Sequence, residues 1–144
     1  MTTLKILDRN IYKTLDWIYS LEDLLNLPDN HETKTFSIMR SVFHALRDHL
    51  PHGTLAHVGQ QLPIFLRGVW FEGWDPAHTP IKERKKEDFI QAVKKQLESY
   101  ADLDIEHCTQ ITMHFLSSKI SDGEGEKIYK VLPESIAVLW KGSL

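Results

Sequence analysis

Leu62-Pro63-Ile64-Phe65-Leu66-Arg67-Gly68-Val69-Trp70 is answered seventy residues later by Leu132-Pro133-Glu134-Ser135-Ile136-Ala137-Val138-Leu139-Trp140. Each stretch has Leu-Pro and then Trp seven residues after the proline. Carried back at the same offset, residues 44–70 against 114–140 give six identities in 27 ungapped positions: His44/His114, Leu46/Leu116, Gly53/Gly123, Leu62/Leu132, Pro63/Pro133 and Trp70/Trp140. Aliphatic residues replace one another at Leu50/Ile120, Val58/Ile128, Leu66/Ile136 and Val69/Leu139. Further upstream the offset becomes 72, and Trp17, Ile18, Leu21 and Leu25 face Phe89, Ile90, Val93 and Leu97. The slip falls in a connection, where length change is tolerated. The sequence therefore predicts an all-α fold made by tandem duplication of a short helical unit, residues 8–76 and 77–144, with three to four helices each. The last segment of each unit is interrupted by proline. A unit this short buries too little apolar surface to be secure alone. The two are expected to pack as one compact helical bundle, a single domain over residues 1–144.

Periodicity places the helices. Ile11, Leu15, Ile18, Leu21 and Leu25 fall at spacings of three and four, one apolar stripe on a helix expected from Asp8, its N-cap, to Leu25. Pro28 stops it. Asp29 and Glu32 have capping-box spacing before a second helix bearing Phe36, Met39, Phe43, Leu46 and Leu50, which Pro51 and Gly53 end. A third carries Leu55, Val58 and Leu62. Pro63, with no N–H to give, is expected at the first position of a short fourth helix, Ile64 to Phe71. Thr79-Pro80 reads as cap and first residue of the next helix, bearing Phe89, Ile90, Val93 and Leu97. Ile105, Cys108, Thr112, Phe115, Leu116 and Ile120 mark another. Ser121 and Glu124 form a second capping box, and Pro133 repeats the break. Gly142 to Leu144 read as a frayed tail.

Composition narrows the function classes. With 17 Lys and Arg against 20 Asp and Glu, the net charge is −3, which gives no overall footprint for nucleic acid or an anionic membrane. One cysteine allows no internal disulfide, and no apolar run is long enough to span a bilayer. The expectation is a soluble cytoplasmic protein with no nucleic-acid or membrane partner.

The segment Gln61-Leu62-Pro63, Leu66-Arg67-Gly68, Glu72-Gly73-Trp74-Asp75-Pro76, then Lys82 and Arg84, resembles the hallmark stretch of domain-of-unknown-function family 2267. Phe43-His44-Ala45-Leu46-Arg47-Asp48-His49-Leu50-Pro51 is similar to a helix of that family, as is Ile120-Ser121-Asp122-Gly123-Glu124 leading to Leu132-Pro133 and Leu139-Trp140. The resemblance covers the chain from about residue 10 onward. It implies an uncharacterised bacterial helical protein and supplies no activity or catalytic residue to carry over.

Four groups of residues could bear chemistry. Arg67, Trp70, Glu72, Trp74 and Asp75 combine aromatics, an arginine and carboxylates, the mix found at binding hot spots. The copies cease to match here: Arg67 and Gly68 stand opposite Ala137 and Val138, and Trp74 has no counterpart. Against a binding role, Trp70 pairs with Trp140 as core, Arg67 has Glu72 or Asp75 within reach, and Gly73 suits a positive-φ turn. His49, His52 and His57 with Asp48 offer metal-ligating atoms, but their spacing lacks the i, i+4 or CxxC regularity of metal motifs, and histidines at a helix end explain them equally. His44 and His114 are matched by the duplication. Cys108 lies on an apolar face, where a thiol is inert. Lys82-Glu83-Arg84-Lys85-Lys86-Glu87-Asp88, expected in the first turns of the fifth helix, reads as a solvated face. No cofactor is implied. The leading expectation is a non-enzymatic, regulatory module that binds a protein or small molecule. The rivals are a metal-binding protein or enzyme using the His44–His57 region, and a structural homo-oligomer.

Overall fold

The apolar stripes become the buried faces of eight α-helices, and no strand forms, among residues 2–141, which the computed structural model describes. They are α1 (Lys5–Leu25), α2 (Glu32–Asp48), α3 (His52–Gln60), α4 (Ile64–Phe71), α5 (Lys86–Lys95), α6 (Ile105–Lys119), α7 (Asp122–Val131) and α8 (Glu134–Trp140). The expected tail, Gly142 to Leu144, lies outside the described residues. Among those described, no helix is long and apolar enough to cross a membrane.

Helices α2 and α6 form the centre. Helix α2 packs on α1, α4, α5 and α6, while α6 packs on α1, α2, α5 and α8. Outside them, α1 meets α4, α5 meets α8, α3 meets α4 and α7, and α7 meets α8. Phe43, Trp70, Phe89 and Phe115 are the largest side chains removed from solvent, and one continuous apolar core runs from Trp17 to Trp140. Each fully buried large apolar side chain contributes about 1.5–3 kcal/mol, so packing on the centre holds the short helices α3, α4, α7 and α8. Gly59 allows α3 to lie close to the end of α4: a Cβ there would stand 2.6 Å from Cε2 of Phe71.

Several helix starts differ from expectation, each because a polar group is spent elsewhere. Helix α1 begins at Lys5, a turn before Asp8, whose carboxylate accepts from the Thr2 amide and hydroxyl. Asp29 does not cap α2; it sits at φ +55° inside the preceding turn. The chain becomes extended only at His31, whose Nδ1 accepts from the Lys34 amide at 3.2 Å. Pro63 and Pro133 precede α4 and α8 as N-caps with ψ of 149° and 144°, so they lend a carbonyl and stand one residue outside the helix. Thr79-Pro80 starts no helix. The Thr79 hydroxyl donates to the Asp75 carbonyl and accepts from the Trp74 indole, and the Ile81 amide donates to the Asp48 carbonyl. This draws residues 79–81 along the end of α2. Helix α5 waits until Lys86, so Lys82 to Lys85 lie in the loop and only Lys86, Glu87 and Asp88 in the first turn.

Ser121 caps α7 as expected, its Oγ accepting from the Glu124 amide at 3.2 Å. The reciprocal bond comes from elsewhere: the Ser121 amide donates to Oε1 of Gln61, at the end of α3, at 2.6 Å. Glu124 instead faces His57 and Lys127. Ser121→Ala is expected to lower unfolding free energy by about 1 kcal/mol, read as a shift in the urea midpoint at unchanged slope.

Candidate functional site

The segment from Arg67 to Asp75 directs most of its polar groups inward. Trp70 is fully buried, its indole N–H donates to the Leu55 carbonyl at 2.9 Å, and its ring meets Phe43 edge-on at 5.6 Å. Arg67 pairs with neither Glu72 nor Asp75. Its Nε donates to the Gly59 carbonyl and its Nη2 to those of Gln60 and Leu62, satisfying the C-terminal end of α3. Glu72 is exposed and accepts from Arg40 at 2.7 Å, a bond that holds its carboxyl below the usual carboxylate range. Gly73 has the positive φ expected of it, +73°. Trp74 is half-buried; its indole N–H bonds the Thr79 hydroxyl at 2.9 Å, and its ring lies edge-on to His52 and Phe71. Asp75 accepts from exposed His78 at 2.6 Å, which holds its carboxyl low.

The residue that organises this segment was not among the expected ones. Arg47, on α2, is 3% exposed, and its guanidinium donates to Oδ1 of Asp48 and to the carbonyls of Trp70 and Glu72. The signal was present: Arg47 lies four residues after Phe43, on the flank of the apolar stripe, and a cation there requires buried acceptors.

The histidines and Asp48 do not converge. His49 is buried with its Nδ1–H donating to the Ala45 carbonyl at 2.7 Å and its ring 5.0 Å from Phe89. His52 donates from Nε2 to the Thr79 carbonyl, His57 points to Glu124, and Asp48 is taken by Arg47. Among the described residues no three or more His, Cys, Asp or Glu side chains group so as to hold a metal ion. His44 donates from Nε2 to the Val69 carbonyl at 2.7 Å, and burial pushes its pKa below the ordinary histidine value. Its sequence counterpart His114 is exposed. Cys108 is buried, and desolvation raises its thiol to about 11, far from a nucleophile.

Two depressions meet where α1 crosses the start of α4. The Asn10 side chain accepts from the Ile64 amide at 3.3 Å and fixes that crossing. On one side opens an apolar groove of about 410 Å³ walled by Leu7, Ile11, Leu15 and Ile18 of α1, Phe36 of α2 and Phe65 of α4, with Glu32 and Thr33 at the α2 edge. On the other lies a polar cleft of about 630 Å³ that contains Arg9, Lys13 and Arg67. Ile6, Leu7, Ile64 and Phe65, which line these two depressions, are each about half exposed or more. Of the expected binding residues, only Arg67 reaches either depression. The sequence signal for the groove is the pairing of Phe65 with Ser135 at the offset of seventy, a large apolar residue where the second stretch is polar.

A model of the family described as an uncharacterized conserved protein, DUF2267, matches residues 14–139. No curated protein matches the chain.

Proposed function

The chain belongs to the uncharacterized conserved protein family DUF2267, and from that premise we propose that it is a non-enzymatic interaction module. Its groove between α1 and α2 receives an amphipathic helix of a partner protein. The observation that carries this is the groove's lining: six apolar side chains contributed by three helices, with Leu7 and Phe65 about half exposed, Ile11, Leu15 and Phe36 partly exposed, Ile18 buried at its floor, and a carboxylate at one edge. From Leu7 to Ile18 the wall runs eleven residues, or about 16 Å along the helix axis, three turns of a docked helix. Glu32, which among the described residues is held by a 3.4 Å bond from Tyr19 alone, supplies the complement for a lysine or arginine beside the partner's apolar stripe.

The test uses Leu7→Ser with Phe65→Ser. Both positions are exposed, and serine already stands at 135, opposite Phe65 in the sequence match. The probe is a fluorescein-labelled helical peptide of about four turns with a Leu/Phe stripe flanked by lysines. The double variant is expected to keep the wild-type melting temperature within a few degrees and to lose about tenfold or more in affinity, since each lost apolar anchor is worth about 1.5–3 kcal/mol. Equal affinity in the two proteins would remove the reading. So would a wild-type dimer in sedimentation equilibrium that the double variant converts to monomer, because a second copy would then be the occupant.

We further infer that the chain arose by duplication and folds as one domain over residues 1–144, with units 8–76 and 77–144. The helix spans support this, as α3 and α4 begin seventy residues before α7 and α8. The packing supports it independently. Exchanging α1 with α5, α2 with α6, α3 with α7 and α4 with α8 turns the set of main helix contacts into itself. The first helix of each unit packs on the second helix of the other, α1 on α6 and α5 on α2, an arrangement that favours one cooperative domain over two separable ones.

A further inference from the structure

We propose that the cleft on the cationic side of α1 is a binding site for a small phosphate monoester. Arg9 and Lys13 from α1 and Arg67 from α4 line it, with Asp16 the one carboxylate in its wall. Three cations against one anion is a local excess opposite in sign to the chain's net charge of −3. Among the described residues Arg9, Lys13 and Arg67 form no salt bridge. Cations that line one cleft without a carboxylate partner repel one another, and an anion between them relieves that cost.

The site is also pre-shaped. Arg67 is half-buried and fixed by three carbonyl acceptors through Nε and Nη2, which leaves its Nη1 group to donate. A guanidinium held in this way loses little rotamer freedom when its Nη1 group donates to an oxyanion. The start of α4 forms part of the same wall through Leu62, Pro63 and Ile64, with the Ile64 amide already donating to Asn10 and the rest of the first turn without a side-chain cap. Its positive end adds to the field of the cations. At about 630 Å³ the cleft exceeds the needs of a bare phosphate ion, and exposed Tyr12 offers a ring face for an organic body. The ligand class is therefore a phosphorylated small molecule with a flat moiety. The second unit has Ala137 at the position matching Arg67 and does not repeat this arginine.

The experiment titrates the full chain with adenosine monophosphate and, separately, inorganic phosphate, followed by amide chemical shifts and calorimetry. Shifts are expected to cluster on residues 9–16 and 60–67, with the monophosphate binding more tightly than phosphate. Arg9→Gln with Lys13→Gln, both solvent-exposed, should weaken binding about tenfold or more per cation removed. Asp16→Asn should tighten it, a gain that damaged folding would not produce. Absence of shifts at millimolar ligand, equal affinity in the double variant, or weaker binding by Asp16→Asn would each overturn the proposal. The groove variant Leu7→Ser with Phe65→Ser should bind the monophosphate as wild type does, so the peptide site and the anion site can fail separately.

Discussion

Trp70→Ala should cost about 3–5 kcal/mol of unfolding free energy, among the largest losses any single truncation in this chain can cause. The indole is fully buried at the junction of α2, α3 and α4, edge-on to Phe43, and its N–H satisfies the Leu55 carbonyl. Truncation opens a cavity of indole size and removes the carbonyl's donor from outside α3. Domains of this class have only about 5–15 kcal/mol to lose. The measurement is urea unfolding followed by circular dichroism, with the midpoint falling at unchanged slope. Trp70→Phe separates the two causes: it keeps most of the volume and loses the bond, so it should cost about 1–3 kcal/mol. A Phe variant as unstable as the Ala variant would mean that the hydrogen bond, and not packing, dominates.

Trp70 also shows why helix existence was legible and site chemistry was not. Its distance from Pro63 and its counterpart Trp140 are facts of spacing, and spacing decides which residues share a helix face. Both tryptophans are buried as that spacing required. Helix starts depend instead on where single polar groups find partners, and those partners are distant in sequence. Local sequence makes the Thr79 hydroxyl a helix cap, but Trp74 and Asp75 take it. Local sequence offers Arg67 the carboxylates of Glu72 and Asp75, but the α3 carbonyls are its acceptors once the chain has turned at Pro63.

The groove and the cleft illustrate the same division. Ile64 and Phe65 were correctly placed on a short fourth helix, yet their exposure depends on how α1 crosses it, an event set by Asn10 fifty-four residues away. Lys13 and Arg67 are likewise fifty-four positions apart in the chain. Periodicity describes faces of one helix, and a cleft between two helices needs the packing as well.

Arg47→Met is the second large effect, expected to cost about 3 kcal/mol or more. Methionine keeps much of the volume, so the loss isolates the charge and its hydrogen bonds. Without the guanidinium, the Trp70 and Glu72 carbonyls lose the donor that ties the C-terminal end of α4 to α2, at 3.0 and 2.6 Å. Asp48 loses its cation at 2.8 Å. These costs differ in kind. The Asp48 side chain is 26% exposed, and water can take over part of its solvation. The Trp70 carbonyl is bonded in a fully buried setting and has no such substitute. Asp48→Asn leaves untouched the Asp48 backbone carbonyl that holds the Ile81 amide, so it probes the charge alone. The double variant Arg47→Met with Asp48→Asn should therefore recover less than half of what Arg47→Met loses. Full recovery in a double-mutant cycle would put the cost in the orphaned carboxylate. A small recovery would establish Arg47 as the clasp between α2 and α4, the helix that presents Phe65 to the groove and Ile64 and Arg67 to the cleft, and both proposed sites should then weaken together in Arg47→Met.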